Sequence, residues 1–264
     1  MNNLKNKKFF LLDMDGTIYL GDRLFDGTLD FLNYIKEVGG KYMFLTNNSS
    51  KSVDKYVEKL AAFGIEATND DFMTSTQATV LYLQKNYGDK KIYAFGTESF
   101  KWELKSGGLE IVDKLEDDIS CLVMGFDTEL SFNKLEDACI LLKKNVDYIA
   151  TNPDLVCPTE YGYVPDCGSV SGMIYNATKR NPVFIGKPEP AMVNLAIEKT
   201  GYTKDETIVI GDRLYTDIAC GLAVGISTAL VLSGETTLDQ VADSEFKPEV
   251  IFNDIKTIYM NLMS

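Results

Sequence analysis

Residues 9–17 read Phe9-Phe10-Leu11-Leu12-Asp13-Met14-Asp15-Gly16-Thr17, and the fold turns on how this stretch changes character. Four consecutive apolar residues predict a strand buried on both faces, as in a parallel sheet covered by helices. Asp13 and Asp15 then fall at the strand's C-terminal end, the edge at which open α/β sheets bind ligands. Two carboxylates one residue apart are costly there unless something neutralises them, and a divalent cation is the simplest partner.

Working outward, short apolar runs alternate with helical patterns. Strands are predicted at Lys41 to Leu45, Ile92 to Phe95, Cys121 to Met124, Tyr148 to Ala150, Val183 to Ile185, Ile208 to Ile210 and Ser227 to Leu232. Helices are predicted at about Ser52 to Phe63, Gln77 to Tyr87, Leu135 to Lys144 and Ala191 to Thr200, with one more after Asp254. This alternation is the grammar of a parallel α/β fold. Three further places break from an apolar run into polar residues suited to phosphate or metal: Thr46-Asn47-Asn48-Ser49, Gly186-Lys187-Pro188 and Gly211-Asp212-Arg213. With parallel strands and right-handed crossovers, all four are expected at one edge of one sheet.

The spacing also locates a second domain. Thr17 and Thr46 are 29 positions apart, but Thr46 and Lys187 are 141 apart. One or two βα units need only roughly 30 to 60 residues. The surplus predicts an inserted α/β domain at 80–180, between halves of a Rossmann-like parallel-sheet core at 1–79 and 181–264.

Composition narrows the chemistry. The 264 residues carry a formal net charge of -13 and contain no histidine. Nucleic-acid binding is excluded by the acidity, and imidazole catalysis by the missing residue, leaving carboxylates, Lys, Thr or Cys. Lys5, Lys7 and Lys8 precede an apolar run too short for a secretory signal, and no run reaches membrane-spanning length. Five cysteines without Cys-x-x-Cys spacing predict reduced, mostly buried thiols in a cytoplasmic protein. Arg23 is expected to be solvated, and Trp102 to be packed.

The four polar elements, in this order and spacing, resemble the motifs of the haloacid dehalogenase (HAD) superfamily. Asp13-x-Asp15-Gly16-Thr17 looks like motif I, Thr46 motif II, Lys187 motif III, and Gly211-Asp212-Arg213-Leu214-Tyr215-Thr216-Asp217 motif IV. An insertion between motifs II and III is the type-2 cap arrangement. Thr46 to Ser50, Ala150-Thr151-Asn152-Pro153-Asp154, Gly186 to Pro188 and Gly211 to Leu214 are similar to the class IIA, NagD-like branch, which includes p-nitrophenyl phosphatases. Asp166, in Pro165-Asp166-Cys167-Gly168, departs from the small residues usual at that place.

The resemblance implies a Mg2+-dependent phosphatase of small phosphorylated metabolites, working through an aspartyl phosphate. It implies Asp13 as nucleophile and metal ligand, Asp15 as general acid and base with its carbonyl on the metal, and Asp212 as the second metal carboxylate. Lys187 is implied to neutralise phosphate, with Thr46, Asn47 and Asn48 binding it. Gly16 permits the turn, and Asp217 supports Lys187 or the metal's surroundings. In the cap, Asn152, Asp154 and Asp166 are candidates for substrate contact. Taken singly, several of these have ordinary readings: Asp217 suits a helix N-terminus, and Asn152 and Asp154 could simply shape a turn around Pro153. By resemblance a homodimer paired through the caps is expected. The competing functions are a phosphotransferase or mutase on the same scaffold, a receiver-type phosphoacceptor module and a non-catalytic metabolite binder.

Overall fold

A computed structural model describes residues 3–159 and 161–264 of the chain. Strands β1 (Phe9–Leu12), β2 (Tyr19–Leu20) and β3 (Arg23–Leu24) lead to α1 (Thr28–Glu37), β4 (Lys41–Thr46), α2 (Val53–Ala62), β5 (Phe72–Thr74) and α3 (Ser75–Tyr87). The middle of the chain forms β6 (Lys91–Phe95), α4 (Glu98–Ser106), β7 (Ile111–Val112), β8 (Ile119–Met124), α5 (Phe132–Lys143), β9 (Asp147–Ala150), β10 (Val156–Thr159), β11 (Gly162–Pro165) and α6 (Cys167–Thr178). The remainder forms β12 (Val183–Phe184), α7 (Ala191–Thr200), β13 (Thr207–Gly211), α8 (Ala219–Val224), β14 (Ser227–Val231), α9 (Leu238–Asp243), β15 (Val250–Phe252) and α10 (Ile255–Met263).

The strands build two parallel sheets and two hairpins. The first sheet has the order β15-β14-β13-β1-β4-β5, and the second β12-β9-β8-β6-β7. β1 is central, paired in parallel with both β13 and β4. All four of its residues are buried, as a strand covered on both faces requires. Alternation divides them: Phe10 and Leu12 join the apolar cluster beneath α1, α2 and α10, whereas Phe9 and Leu11 join the one beneath α3, α7 and α8. That second cluster continues through α4 into the second sheet at Ile92, Cys121, Val123 and Ile149. The far face of the second sheet packs against α5 and α6.

Three strand ends meet expectation: β1, β4 and β13 lie side by side and present Asp13, Thr46 and Asp212 at the same edge. Lys187 differs. Val183–Phe184 pairs with β9 in the second sheet, so the lysine is delivered from the other sheet's edge strand and not from the first. The stretch 152–168 carries the β10–β11 hairpin. Trp102 is 55% exposed on the outer side of α4, opposite Phe100 and Leu104, and is not packed as the sequence suggests. The five cysteines are free, with Cys121, Cys167 and Cys220 buried. Among the described residues, no helix is long and apolar enough to cross a membrane.

Candidate active site

The chain turns sharply after β1. Gly16 has φ +90°, and a Cβ there would lie 2.5 Å from Asp212 Oδ2. Only glycine both adopts this conformation readily and lets the motif I backbone approach the motif IV carboxylate so closely. Asp15 is half-buried and lines the site cavity, with Tyr19 Oη 3.5 Å from its Oδ2. Burial raises the Asp15 pKa, against the opposing field of Lys59.

Lys187 is the hub. Its Nζ donates to Asp13 Oδ1 at 2.6 Å, Asp217 Oδ1 at 2.6 Å and the Leu45 carbonyl at 2.9 Å. The three ammonium hydrogens are thereby taken up. Burial alone would lower the Lys187 pKa, but Asp13 and Asp217 outweigh it and hold the side chain protonated above the ordinary lysine value. The backbone is fixed as well, because the Lys187 N–H donates to Asn47 Oδ1 and Asn47 Nδ2 donates to the Lys187 carbonyl.

Asp217 lies in a π-helical turn, Leu214–Ile218, that leads into α8. It holds Lys187 with one oxygen and accepts the Arg213 N–H with the other, at 3.1 Å. Asp212 Oδ2 accepts the Glu235 N–H at 2.7 Å, while the buried Oδ1 has no partner. Burial first, and Asp217 next, push the Asp212 pKa up to about 7. Oxygens of Asp13, Asp212 and Asp217 lie within 4.8 Å of one another. Three carboxylates against one ammonium, with one oxygen orphaned, is a donor set that suits a hard divalent cation.

Other sequence candidates take different places. Thr46 is buried, its hydroxyl accepting the Asn48 N–H at 3.2 Å. Asn48 folds back so that its Oδ1 accepts from the Ser50 N–H and hydroxyl. Asn152 is fully buried and off the cavity wall: its Nδ2 donates to the Asn47 carbonyl and its Oδ1 accepts the Asp154 N–H. Asp166 caps α6 by accepting the Cys167 N–H, and burial pushes its pKa up to about 7. Asp154 accepts from Asn47 Nδ2 at 3.2 Å and from Arg213 Nη1 at 3.0 Å. Arg213, which sequence reasoning passed over, also places its Nε 2.8 Å from Glu235. Its signal was its place inside motif IV; its partner Asp154 lies 59 positions away.

These groups enclose a cavity of about 30 Å³ walled by Asp13, Asp15, Thr46, Lys187 and Arg213 among others. Carboxylate, ammonium and hydroxyl groups thus converge on one small polar space with room for roughly two waters.

Residues 10–110 match the family model described as haloacid dehalogenase-like hydrolase, and residues 184–258 match a HAD-hydrolase-like model. The chain is 31% identical over 259 residues to an acid sugar phosphatase of Staphylococcus haemolyticus, covering 98% of each chain. It superposes on the 4-nitrophenylphosphatase of Thermotoga maritima with a TM-score of 0.93 at 39% identity, covering 98% of this chain and 99% of that one. A glycerol phosphate phosphatase of Mycobacterium tuberculosis in complex with magnesium gives 0.91 at 28% identity, over 98% of this chain and 78% of that one.

Proposed function

The chain belongs to the haloacid dehalogenase-like hydrolases, in their NagD-like p-nitrophenyl phosphatase branch, and from that premise we propose that it hydrolyses small phosphate monoesters in two displacements at Asp13. It is a phosphatase; the proposal concerns how this site performs the reaction and with which ion. The observation that carries the reading is Lys187 held at 2.6 Å from both Asp13 and Asp217, with the unpartnered Asp212 Oδ1 in the same carboxylate cluster.

A carboxylate attacks a phosphate dianion slowly unless the repulsion between them is cancelled. Lys187 supplies one positive charge, and Asp13 with Asp212 would hold Mg2+. When bound, that ion supplies further charge neutralisation and polarises the phosphoryl oxygens. Asp13 attacks phosphorus, and the P–O bond to the leaving group breaks with its electron pair going to the ester oxygen. Asp15 gives that oxygen a proton. Burial raises its pKa above the ordinary carboxylate value, the direction that favours the acid role. Water then attacks the aspartyl phosphate, Asp15 takes the water's proton, and Asp13 leaves as carboxylate. Thr46 and the backbone beyond β4 would hold phosphoryl oxygens.

Hydrolysis of p-nitrophenyl phosphate, with and without Mg2+, tests this. We expect Asp13→Asn to lose at least about 10³-fold in kcat with its circular dichroism unchanged, and the wild type to need the added cation. Full activity in Asp13→Asn would reject the nucleophile, and full activity in chelator would reject the metal.

A further inference from the structure

A larger chamber of about 650 Å³ adjoins the cavity, and the two share Asp15, Asn48, Cys157 and Pro158 as walls. An ester whose phosphoryl group sits at Asp13, with its bridging oxygen toward Asp15, has this chamber available for the rest of the molecule. The volume is in the range of small-molecule sites, whereas the cavity itself is far too small.

The chamber's charges are unusual for a chain with a net charge of -13. Asp127 on its wall is already paired with Lys134 at 2.8 Å. Lys51 and Lys59 are on the wall too, and neither has a carboxylate in ion-pair range among the described residues. Lys59 is half-buried, its Nζ 3.7 Å from the centre of the Tyr19 ring. Burial lowers its pKa, a sign that the ammonium is partly stripped of water. Apart from Asp15 at the neck, the described wall offers only exposed Asp22 in return. A partly desolvated cation facing an open chamber, with an aromatic face but no carboxylate beside it, is stabilised by an anionic ligand group.

Resting on the phosphatase reading above, we propose that Lys59, with Lys51 nearer the rim, determines specificity by selecting leaving groups that carry a second anion, a carboxylate or a second phosphate, away from the scissile phosphoryl group. Lys59 comes from α2, so the selectivity resides on that helix and not on the β10–β11 hairpin that shares the chamber wall.

Two matched substrate pairs test the proposal on the full chain with Mg2+. Glycerol 3-phosphate against 3-phosphoglycerate changes a hydroxymethyl to a carboxylate, and glucose 6-phosphate against glucose 1,6-bisphosphate adds a phosphate. We expect kcat/KM to favour the more anionic member of at least one pair about tenfold, the size of one charged hydrogen bond. Which pair responds identifies the anion. Lys59→Gln should collapse that ratio through KM, and Lys59→Arg should retain it. No preference in either pair, or a preference that survives in Lys51→Gln/Lys59→Gln, would overturn the proposal. So would an equal loss on both members with a displaced acid limb of the pH profile, which would make Lys59 a modulator of Asp15. Failure of the wild type to hydrolyse any of the four or p-nitrophenyl phosphate would instead remove the phosphatase reading, and this inference with it.

Discussion

At the scale of single residues, the site is a question of how two buried carboxylates, Asp13 and Asp217, share one ammonium. Asp217 never faces the cavity; one of its oxygens holds Lys187 and the other the Arg213 N–H. It is a positioning residue, so Asp217→Asn should leave Asp13 as the single carboxylate on Lys187 and the ammonium misplaced. The expected result is a loss of about 10²-fold in kcat on p-nitrophenyl phosphate with a smaller change in KM. Lys187→Met combined with Asp217→Asn should then be little worse than Lys187→Met, because residues acting as a unit are not additive. Additive losses would show that Asp217 acts independently. The motif residues were legible because Asp13, Lys187 and Asp212 each follow an apolar run, and that pattern is written locally. Arg213 was not legible as a bridge, since nothing near it announces a buried acid 59 positions earlier. For Asp217 the sequence left a helix-start reading open, and the buried contact with Lys187 shows what else it does.

At the scale of elements, β4, α2 and α7 could be read from periodicity, whereas α1 and α6 could not. The residue before α1 is Gly27, which offers no capping side chain, so the usual start signal is missing. In α6 the reader meets Gly168 at the second position. A Cβ there would overlap the Pro153 carbonyl, so the element trades helix propensity for close approach. Lys187 came from the second sheet because β12 is only two residues long, and such a strand gives no clue to which sheet it joins. The helix α4 poses a separate problem. Its Glu103 has both carboxylate oxygens buried with no well-formed hydrogen bond, and burial, opposed only by the nearby Val53 N–H, pushes its pKa up to about 7 from an ordinary 4.5. The folded chain therefore binds more protons than the unfolded chain between those values, and this group's contribution to stability falls as pH rises through that window. The penalty is complete above pH 7 and absent below the unfolded pKa. Glu103→Met should remove about 2 kcal/mol of it at pH 8, raising Tm by several degrees, with a clearly smaller gain at pH 5. Equal gains at both pH values would mean that packing, and not ionisation, is responsible.

At the scale of the whole molecule, the two sheets are joined in two physically different ways. Toward α3, α4 and α7 a single apolar cluster runs from Phe9 and Leu11 of one sheet to Cys121 and Val123 of the other. At the site itself the join is polar: Asp154 of the inserted segment meets Asn47 and Arg213 of the first sheet. The seam was not legible in the sequence, because its pairs lie 59 to 107 positions apart. A cavity of about 30 Å³ is tight for a phosphoryl group, and we expect the polar side to part as substrate enters, with the apolar side as the pivot. Cys157 is placed to report such a motion. It is on the β10–β11 hairpin, lines both the cavity and the chamber, and is partly buried with its thiol pKa pushed up to about 12 by that burial. Asp154→Asn removes the charge that holds Arg213 across the seam while Glu235 remains at 2.8 Å. Iodoacetamide labelling followed by peptide mapping should then find Cys157 alkylated several-fold faster than in the wild type. Cys121 and Cys220, both buried in the apolar cluster, are the internal control. Unchanged rates at those two would localise the opening to the polar seam, whereas a parallel rise at Cys121 would show that the substitution loosens the whole fold, and the pivot would have to be abandoned.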